Sequence, residues 1–344
     1  MRDGEALPRL RRRAPNAWRG GLVMQSVPVP ALSTSSATHD APAIAPGSLA
    51  AWIMALRLRS LLIAISPVLV AAALVWQRTG RLDGGMVVLI LAASIVIQVI
   101  TNLQNDVGYT LRGGERSRTR TGLPRATALG LLTTRQVHLA IALAIAAAVV
   151  LGLPLVVARG WPVLAMGIGS IVAALAYMGG PRPIAYTPFG ELVVFVFFGL
   201  IAVAGADYTL TGGPVPALTW LAASAMGALA AAALVVNNHR DVEHDAGVGR
   251  RTFPVVCGVG ASHALYLASM LLPFALVPAL AWLAGTPWLL LPLLSLPVAL
   301  RLLQDFRGAP PGLAFNALLF RTFKLELAYA ALLSAGAILA RALE

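Results

Sequence analysis

The sequence predicts an all-α, polytopic membrane bundle of about nine transmembrane helices around a central cavity, with its N-terminus cytoplasmic. Three observations lead there. Hydrophobic residues make up 58% of the chain and charged residues only 12%, where a soluble globule carries roughly a quarter charged. About nine apolar segments approach or exceed the ~20 helical residues that a hydrocarbon core requires. The arginines between those segments gather on one side, as the positive-inside rule demands.

Residues 1–48 open with Arg9, Arg11, Arg12 and Arg13 and continue through Pro, Ser, Ala and Thr. They read as a disordered basic extension, or in part as sequence upstream of a true start at Met24. No continuous apolar core follows the arginines, so the stretch is not a signal peptide; its charge suits anionic headgroups. Residues 49–344 form the transmembrane domain. Its spans are expected near 60–76, 86–104, 138–158, 161–178, 190–207, 216–236, 262–284, 286–303 and 324–342.

With the N-terminus inside, the inner loops carry Arg112, Arg116, Arg118, Arg120, Arg125, Arg135, Arg182, Arg240, Arg250, Arg251, Arg307 and Arg321. The outer side holds Arg78, Arg81, Arg159 and Arg341. A net charge of +12 would suggest nucleic acid in a soluble chain; here it reports topology, and the partner is the lipid bilayer, with no nucleic acid. Cys257 is the only cysteine, which excludes an intrachain disulfide and a thiolate metal cluster.

Two polar segments close spans at the same end of the bundle. In NNHRDVEHDAGVGRRT, residues 237–252, helical spacing would put Asn237, Asn238, Asp241, His244 and Asp245 on one stripe. Carboxylates one turn apart suit Mg²⁺, a hard cation that takes oxygen ligands. Beyond Gly247 and Gly249, Arg250 and Arg251 are placed to return as phosphate donors. In TNLQNDVGYTLRGGE, residues 101–115, Asn102 and Asp106 are four apart, as are Asn105 and Tyr109. The bland readings are a solvated loop for the later segment and mutual neutralisation of Asp106 and Arg112 for the earlier one. Together the two segments suggest a weak internal repeat whose halves face each other across a cavity, since acids near spans usually line such a space or pair with something.

Carboxylates that gather Mg²⁺ beside arginines are the equipment for a diphosphate, because they offset charge that grows as a C–O bond breaks. Sited at the base of a membrane cavity, they imply a substrate whose other end is lipid. An allylic polyprenyl diphosphate meets both conditions.

These two motifs, the span count and the stretch YMGGPRPIAYTPFGELVVFVFFG, residues 177–199, resemble the UbiA superfamily of intramembrane prenyltransferases over about residues 52–340. The similarity is greatest to the 1,4-dihydroxy-2-naphthoate polyprenyltransferase branch of menaquinone synthesis. It implies a helical bundle with a central cavity in the cell inner membrane, its active site on the cytoplasmic side, two Mg²⁺ bridged to the diphosphate, and C-prenylation of an aromatic, naphthoate-like ring. Carried over by position, Asn102, Asn105, Asp106, Asn238, Asp241 and Asp245 are the expected metal-site residues. Arg120, Arg125 and Arg182, with Arg250 and Arg251, are the expected diphosphate-binding set, while Arg57 and Arg59 form the basic entry. The sequence departs from the family at Tyr109, which stands where the first motif normally has a second Asp and is a poor Mg²⁺ ligand when neutral. Glu115 stands for a further family Asp as a metal ligand.

The expected mechanism has Asp106, Asp241 and Asp245 hold Mg²⁺ against the diphosphate while arginines clamp its oxygens. The allylic bond then ionises in a pocket that excludes water, and the ring carbon attacks. Tyr109, His239 and His244 are candidate proton acceptors. Another member of the superfamily, such as a 4-hydroxybenzoate polyprenyltransferase, is the alternative within the enzyme class. A carrier is the alternative from another class, disfavoured because carrier sites lie near the bilayer midplane and these motifs lie at its edge. Phe195, Phe197 and Phe198 read as core or lipid contacts, and Asp207 with Tyr208 as an interface anchor.

Overall fold

Apolar runs closed by polar caps set the architecture. The computed structural model describes residues 44–113, 122 and 124–343. Among the described residues there is no β-strand, and nine helical segments are long and apolar enough to cross a membrane. These spans, numbered here in order, are Leu49–Thr79, Gly84–Leu111, Thr134–Arg159, Trp161–Met178, Gly190–Thr211, Ala217–Arg240, Phe253–Ala284, Pro287–Gly308 and Phe315–Leu343. The chain is a multi-pass membrane protein. Residues 1–43 of the expected basic extension lie outside the described residues.

Local chemistry explains most boundaries. Thr133 and Gln136 close a capping box at the third span, and the Asp83 side chain accepts from Met86 N at the second, which satisfies amide groups that the helix leaves open. The first span begins earlier than expected because it is two helices, Leu49–Leu56 and Leu61–Thr79, joined by a 3-10 turn. Arg57 turns the chain there with φ 51° and ψ 55°. Asn102 of the second span repairs the break: its Nδ2 donates to Leu56 O at 2.7 Å and to Ser60 Oγ at 2.9 Å. The seventh span also starts earlier than expected, with a break at Gly258, whose φ of 87° is open to glycine and strained for other residues.

The sixth span is the centre of the bundle. In its most apolar stretch 78% of residues are buried, against 17% for the third span and 11% for the fourth, which therefore lie at the periphery. It packs on the fifth, seventh and ninth spans. Contact with the fifth is backbone to backbone: a Cβ on Gly199 would fall 2.5 Å from Gly227 Cα, and one on Gly227 2.6 Å from Phe195 O. Small residues permit such an approach between membrane helices. The fifth span is α-helical over Gly190–Val194 and Gly205–Thr211 but widens to a π-helix over Phe195–Ala204, a local form common at functional sites.

At the end of the bundle away from the two polar motifs, Arg78 donates to both oxygens of Asp207 at 2.6 and 2.7 Å, and Thr219 Oγ1 donates to Asp207 Oδ2 at 2.6 Å. Asp207 is thus a fully buried ion-pair partner rather than an interface anchor. Tyr208 Oη bonds Arg159 O, and Arg159 donates to the carbonyls of Thr209 and Leu210. Two arginines of the expected outer set therefore tie helix ends together.

Candidate active site

Polar residues from the ends of the first, second, fourth and sixth spans meet the loops at Arg125 and Arg250 around one cavity of about 1070 Å³. Its polar wall includes Arg57, Arg59, Gln98, Asn105, Tyr109, Arg125, Tyr177, Asn237, Asn238, Arg240, Asp241 and Arg250. The remaining wall is apolar, with Ile63, Ile97, Leu153, Ile168, Phe197, Phe198 and Ile201 among it, and reaches Ala206 and Thr209 near the far end of the fifth span. Phe197 and Phe198 therefore line the cavity, contrary to their reading as core or lipid contacts.

The second motif does not form one continuous stripe. The sixth span ends at Arg240, Asp241 adopts φ −99° and ψ 11°, and a short helix, Val242–Gly247, follows. Asn237, Asn238 and Asp241 remain on the cavity wall, whereas His244 and Asp245 lie behind it. Arg240 grips Asp241 with Nε at 2.9 Å and Nη2 at 2.6 Å, and reaches Asn316 and Asn237 with the rest of its guanidinium. Asp245 is fully buried. It accepts from Arg250 Nη1 at 2.6 Å and from Thr252 Oγ1 at 3.3 Å. Burial pushes its carboxyl up to about 6 against the pull of the Arg250 charge, with nearby Asp241 adding to the rise. Arg250 also donates to Ala185 O, so it arrives at the wall already fixed in place.

The first motif divides between two faces of its helix. Asn105 and Tyr109 line the cavity; Asn102 and Asp106 do not. Asp106 is fully buried and holds the loop before the third span, its oxygens accepting from Ala126 N at 3.0 Å, Thr127 N at 2.9 Å and Thr127 Oγ1 at 2.6 Å. Asp106, expected to face the diphosphate, thus lies off the cavity wall, as does Asn102, which braces the break in the first span. Tyr109 Oη lies 2.5 Å from His244 Nε2, and the Arg125 guanidinium sits 4.3 Å from the centre of the Tyr109 ring. Arg125 Nη1 in turn donates to Asn105 O at 2.8 Å. Arg112 is not partnered with Asp106 but donates to the carbonyls of Met178 and Gly180, steadying the turn after the fourth span.

Arg182 and Arg251 are exposed and off the cavity wall, so the structure does not bring them to the site expected for them. Glu115 and Arg120 lie outside the described residues. His239 is buried among Phe306 and Phe315 with Nδ1 3.1 Å from Ser262 Oγ, away from the cavity. Of the three candidate proton acceptors only Tyr109 reaches the wall. One residue was missed: Glu191, buried at the start of the fifth span, accepts from Asn238 Nδ2 at 2.8 Å. An acid opening an apolar segment was the signal that could have found it.

Among the described residues no three of His, Cys, Asp and Glu cluster as a metal site. The donors that do suit Mg²⁺ are oxygens. Asn105 Oδ1 and Asn238 Oδ1 are buried in the cavity wall without a hydrogen-bond partner among the described residues, and Asp241 adds a carboxylate to the same wall. Buried carbonyl oxygens normally have partners, and hard-cation coordination is a chemistry that would supply one. The residues present therefore fit such an ion.

A profile of the UbiA prenyltransferase family matches residues 64–339. Over 269 residues the chain is 34% identical to 1,4-dihydroxy-2-naphthoate octaprenyltransferase of Mycobacterium tuberculosis, covering 77% of this chain and 89% of that protein. It is 31% identical over 283 residues to the protein of the same name from Escherichia coli, covering 80% and 90%. Among solved structures, a UbiA homologue from Archaeoglobus fulgidus bound to GPP and Mg²⁺ matches with a TM-score of 0.59 over 83% of this chain and 99% of that one, at 17% identity. That last likeness is one of fold.

Proposed function

The chain belongs to the UbiA prenyltransferase family, and we propose that it transfers a polyprenyl group from an allylic polyprenyl diphosphate to 1,4-dihydroxy-2-naphthoate, a step of menaquinone biosynthesis. The observation that carries this reading is the two-part cavity: a polar end with arginines, amides and one carboxylate, continuous with an apolar channel inside the membrane. Its support from outside is the identity with two proteins that bear this activity as their name.

In this reading the polar end binds the diphosphate and the channel binds the tail. Arg125 and Arg250, each fixed by a carbonyl oxygen, clamp phosphate oxygens with charge-assisted hydrogen bonds. Asn105, Asn238 and Asp241 would hold Mg²⁺. When bound, the ion neutralises charge that develops on the leaving diphosphate. Apolar side chains around the allylic carbon exclude water, so the carbocationic carbon meets the ring before solvent. The bond from that carbon to the diphosphate oxygen breaks, and a new bond forms to the ring carbon that carries the carboxylate. The carboxylate then leaves as carbon dioxide and its electron pair restores the aromatic ring. The arginine bias supports a cytoplasmic polar end; the location that goes with this reading is the cell inner membrane.

The test is a detergent assay with Mg²⁺, radiolabelled polyprenyl diphosphate and 1,4-dihydroxy-2-naphthoate, comparing wild type with Asp241→Asn. A prenylated, decarboxylated product that is lost in the variant is the expected result. Product from 4-hydroxybenzoate but none from the naphthoate would move the acceptor to another branch of the family.

A further inference from the structure

Glu191 takes no part in the wall of the cavity, yet it is a buried acid, 5% exposed, in the first turn of the fifth span. A carboxylate in that setting needs a reason, since ionisable groups at membrane depth are costly unless paired. Its one described side-chain partner is Asn238, whose Nδ2 donates to Glu191 Oε1 at 2.8 Å. Asn238 does line the cavity, and it is 3% exposed.

An asparagine amide has two unlike ends, a carbonyl that accepts and an NH₂ that donates. Which end meets a ligand depends on what holds the other. In the structure the NH₂ end is the one held, because the Glu191 oxygen that meets the amide accepts from Nδ2. With Nδ2 engaged behind the wall, Oδ1 is the end left for the cavity, and it has no hydrogen-bond partner among the described residues. The same atom belongs to the oxygen set that fits Mg²⁺. We infer that Glu191 is a positioning residue: it orients the Asn238 amide so that a carbonyl oxygen, and not an NH₂, faces the metal and diphosphate. The inference rests on the prenyl-transfer reading of the site.

The pairing accounts for three features together. It gives the acid a function that its absence from the wall would otherwise leave unexplained. It explains why an amide can serve as a cation ligand without the flip that would present hydrogens to the ion. And it ties the ligand to the fifth span, whose glycine contact with the sixth at Gly199 and Gly227 holds the two backbones in register. Groups behind a metal ligand commonly set its orientation, and their loss typically weakens metal binding by about 10–100-fold.

Titration of the detergent-purified protein with Mn²⁺ by electron paramagnetic resonance, with and without inorganic pyrophosphate, tests this. Glu191→Leu removes the acceptor and frees the amide to turn. The expected result is Mn²⁺ affinity lower by about tenfold or more, with metal-free pyrophosphate binding unchanged or stronger, because an NH₂ then faces the anion. Adding Asn238→Asp to Glu191→Leu supplies oxygens in either orientation, so the double variant should recover to within a few-fold of wild type by the logic of a double-mutant cycle. A structural role for Glu191 would not be rescued in this way. If Glu191→Leu does not fold, Glu191→Gln, which can donate as well as accept, should show a smaller loss with the same rescue. Unchanged Mn²⁺ affinity in the single variant, or a folded double variant without recovery, overturns the inference alone. A wild-type protein that binds no Mn²⁺ with pyrophosphate overturns the prenyl-transfer reading and this inference with it.

Discussion

Tyr109 Oη and His244 Nε2 meet at 2.5 Å across the cavity's rear wall, tying the end of the second span to the helix Val242–Gly247 that follows the sixth. Tyr109 occupies the position at which the family resemblance leads one to expect an Asp. Here the two polar motifs are joined by a phenol and an imidazole where an acid would offer a metal ligand.

Removing that phenol tests its role. Tyr109→Phe should lower stability by about 0.5–1.5 kcal/mol, the usual net worth of one hydrogen bond, and leave Mn²⁺ affinity within a factor of about two, because neutral phenol is a poor ligand for a hard cation. Tyr109→Asp should raise Mn²⁺ affinity by adding a carboxylate beside Arg125. Thermal unfolding and metal titration in detergent read both, and a large loss of metal binding in Tyr109→Phe would show that the phenol is itself a ligand.

Asp106 and Asp241 should separate cleanly. Asp106→Ala leaves the N–H groups of Ala126 and Thr127 buried without their acceptor, at roughly 1–3 kcal/mol each. The expected outcome is a lower unfolding temperature with normal Mn²⁺ affinity in the folded fraction. Asp241→Asn should instead reduce prenyl transfer by about 10²–10³, the scale for losing one electrostatic contact to developing charge. Equal loss of metal affinity in both variants would return Asp106 to the site.

The contrast between these two acids also shows what the sequence could reveal. The spans were legible because a hydrocarbon core demands long apolar runs, and few other structures produce them. Helical spacing correctly grouped Asn102 with Asp106 and Asn105 with Tyr109, but successive residues on a helix are about 100° apart. Which of the two faces met the cavity depended on tertiary packing, and the acid-bearing face turned inward to the loop. The break at Arg57 was hidden because a non-glycine residue at positive φ carries no local mark. Asp241 ends the sixth span without a glycine or proline nearby, so the rotation that moves His244 and Asp245 behind the wall was equally silent. Glu191 was visible as an acid in an apolar setting, but its link to Asn238 exists only once the fifth and sixth spans pack.

Asp245 gives a pH prediction for the metal-free protein. Its carboxyl is raised from 3.8 to about 6, chiefly by burial. The folded state therefore binds this proton more tightly than the unfolded state does. That contribution is complete below about pH 4 and is lost as pH rises through about 6, a change on the order of 3 kcal/mol. After treatment with chelator, wild type should lose unfolding temperature between about pH 4 and pH 6.5 relative to Asp245→Asn, which lacks the titrating group. Parallel curves for the two proteins would mean that the ion pair with Arg250 outweighs burial and keeps Asp245 charged throughout.

The run of the channel along the fifth span gives a prediction for donor length. Val193 and Thr209 of the fifth span both line it, and sixteen residues at the α-helical ~1.5 Å each give at most roughly 24 Å, because the π-helix over Phe195–Ala204 rises less per residue. With C–C bonds near 1.5 Å, an extended isoprene unit advances about 5 Å, so at most about five units fit along the wall. Near the far end, a Cβ on Gly205 would fall 2.8 Å from Met166 Sδ, and Met166 itself lines the channel. Because that sulfur belongs to a flexible side chain, Gly205→Val should fold and push Met166 into the channel. KM should then rise several-fold for donors longer than about four isoprene units, while dimethylallyl diphosphate, which never reaches that depth, reacts as before. A uniform change across donor lengths would show that the tail leaves the channel before Gly205 and that the length limit lies elsewhere.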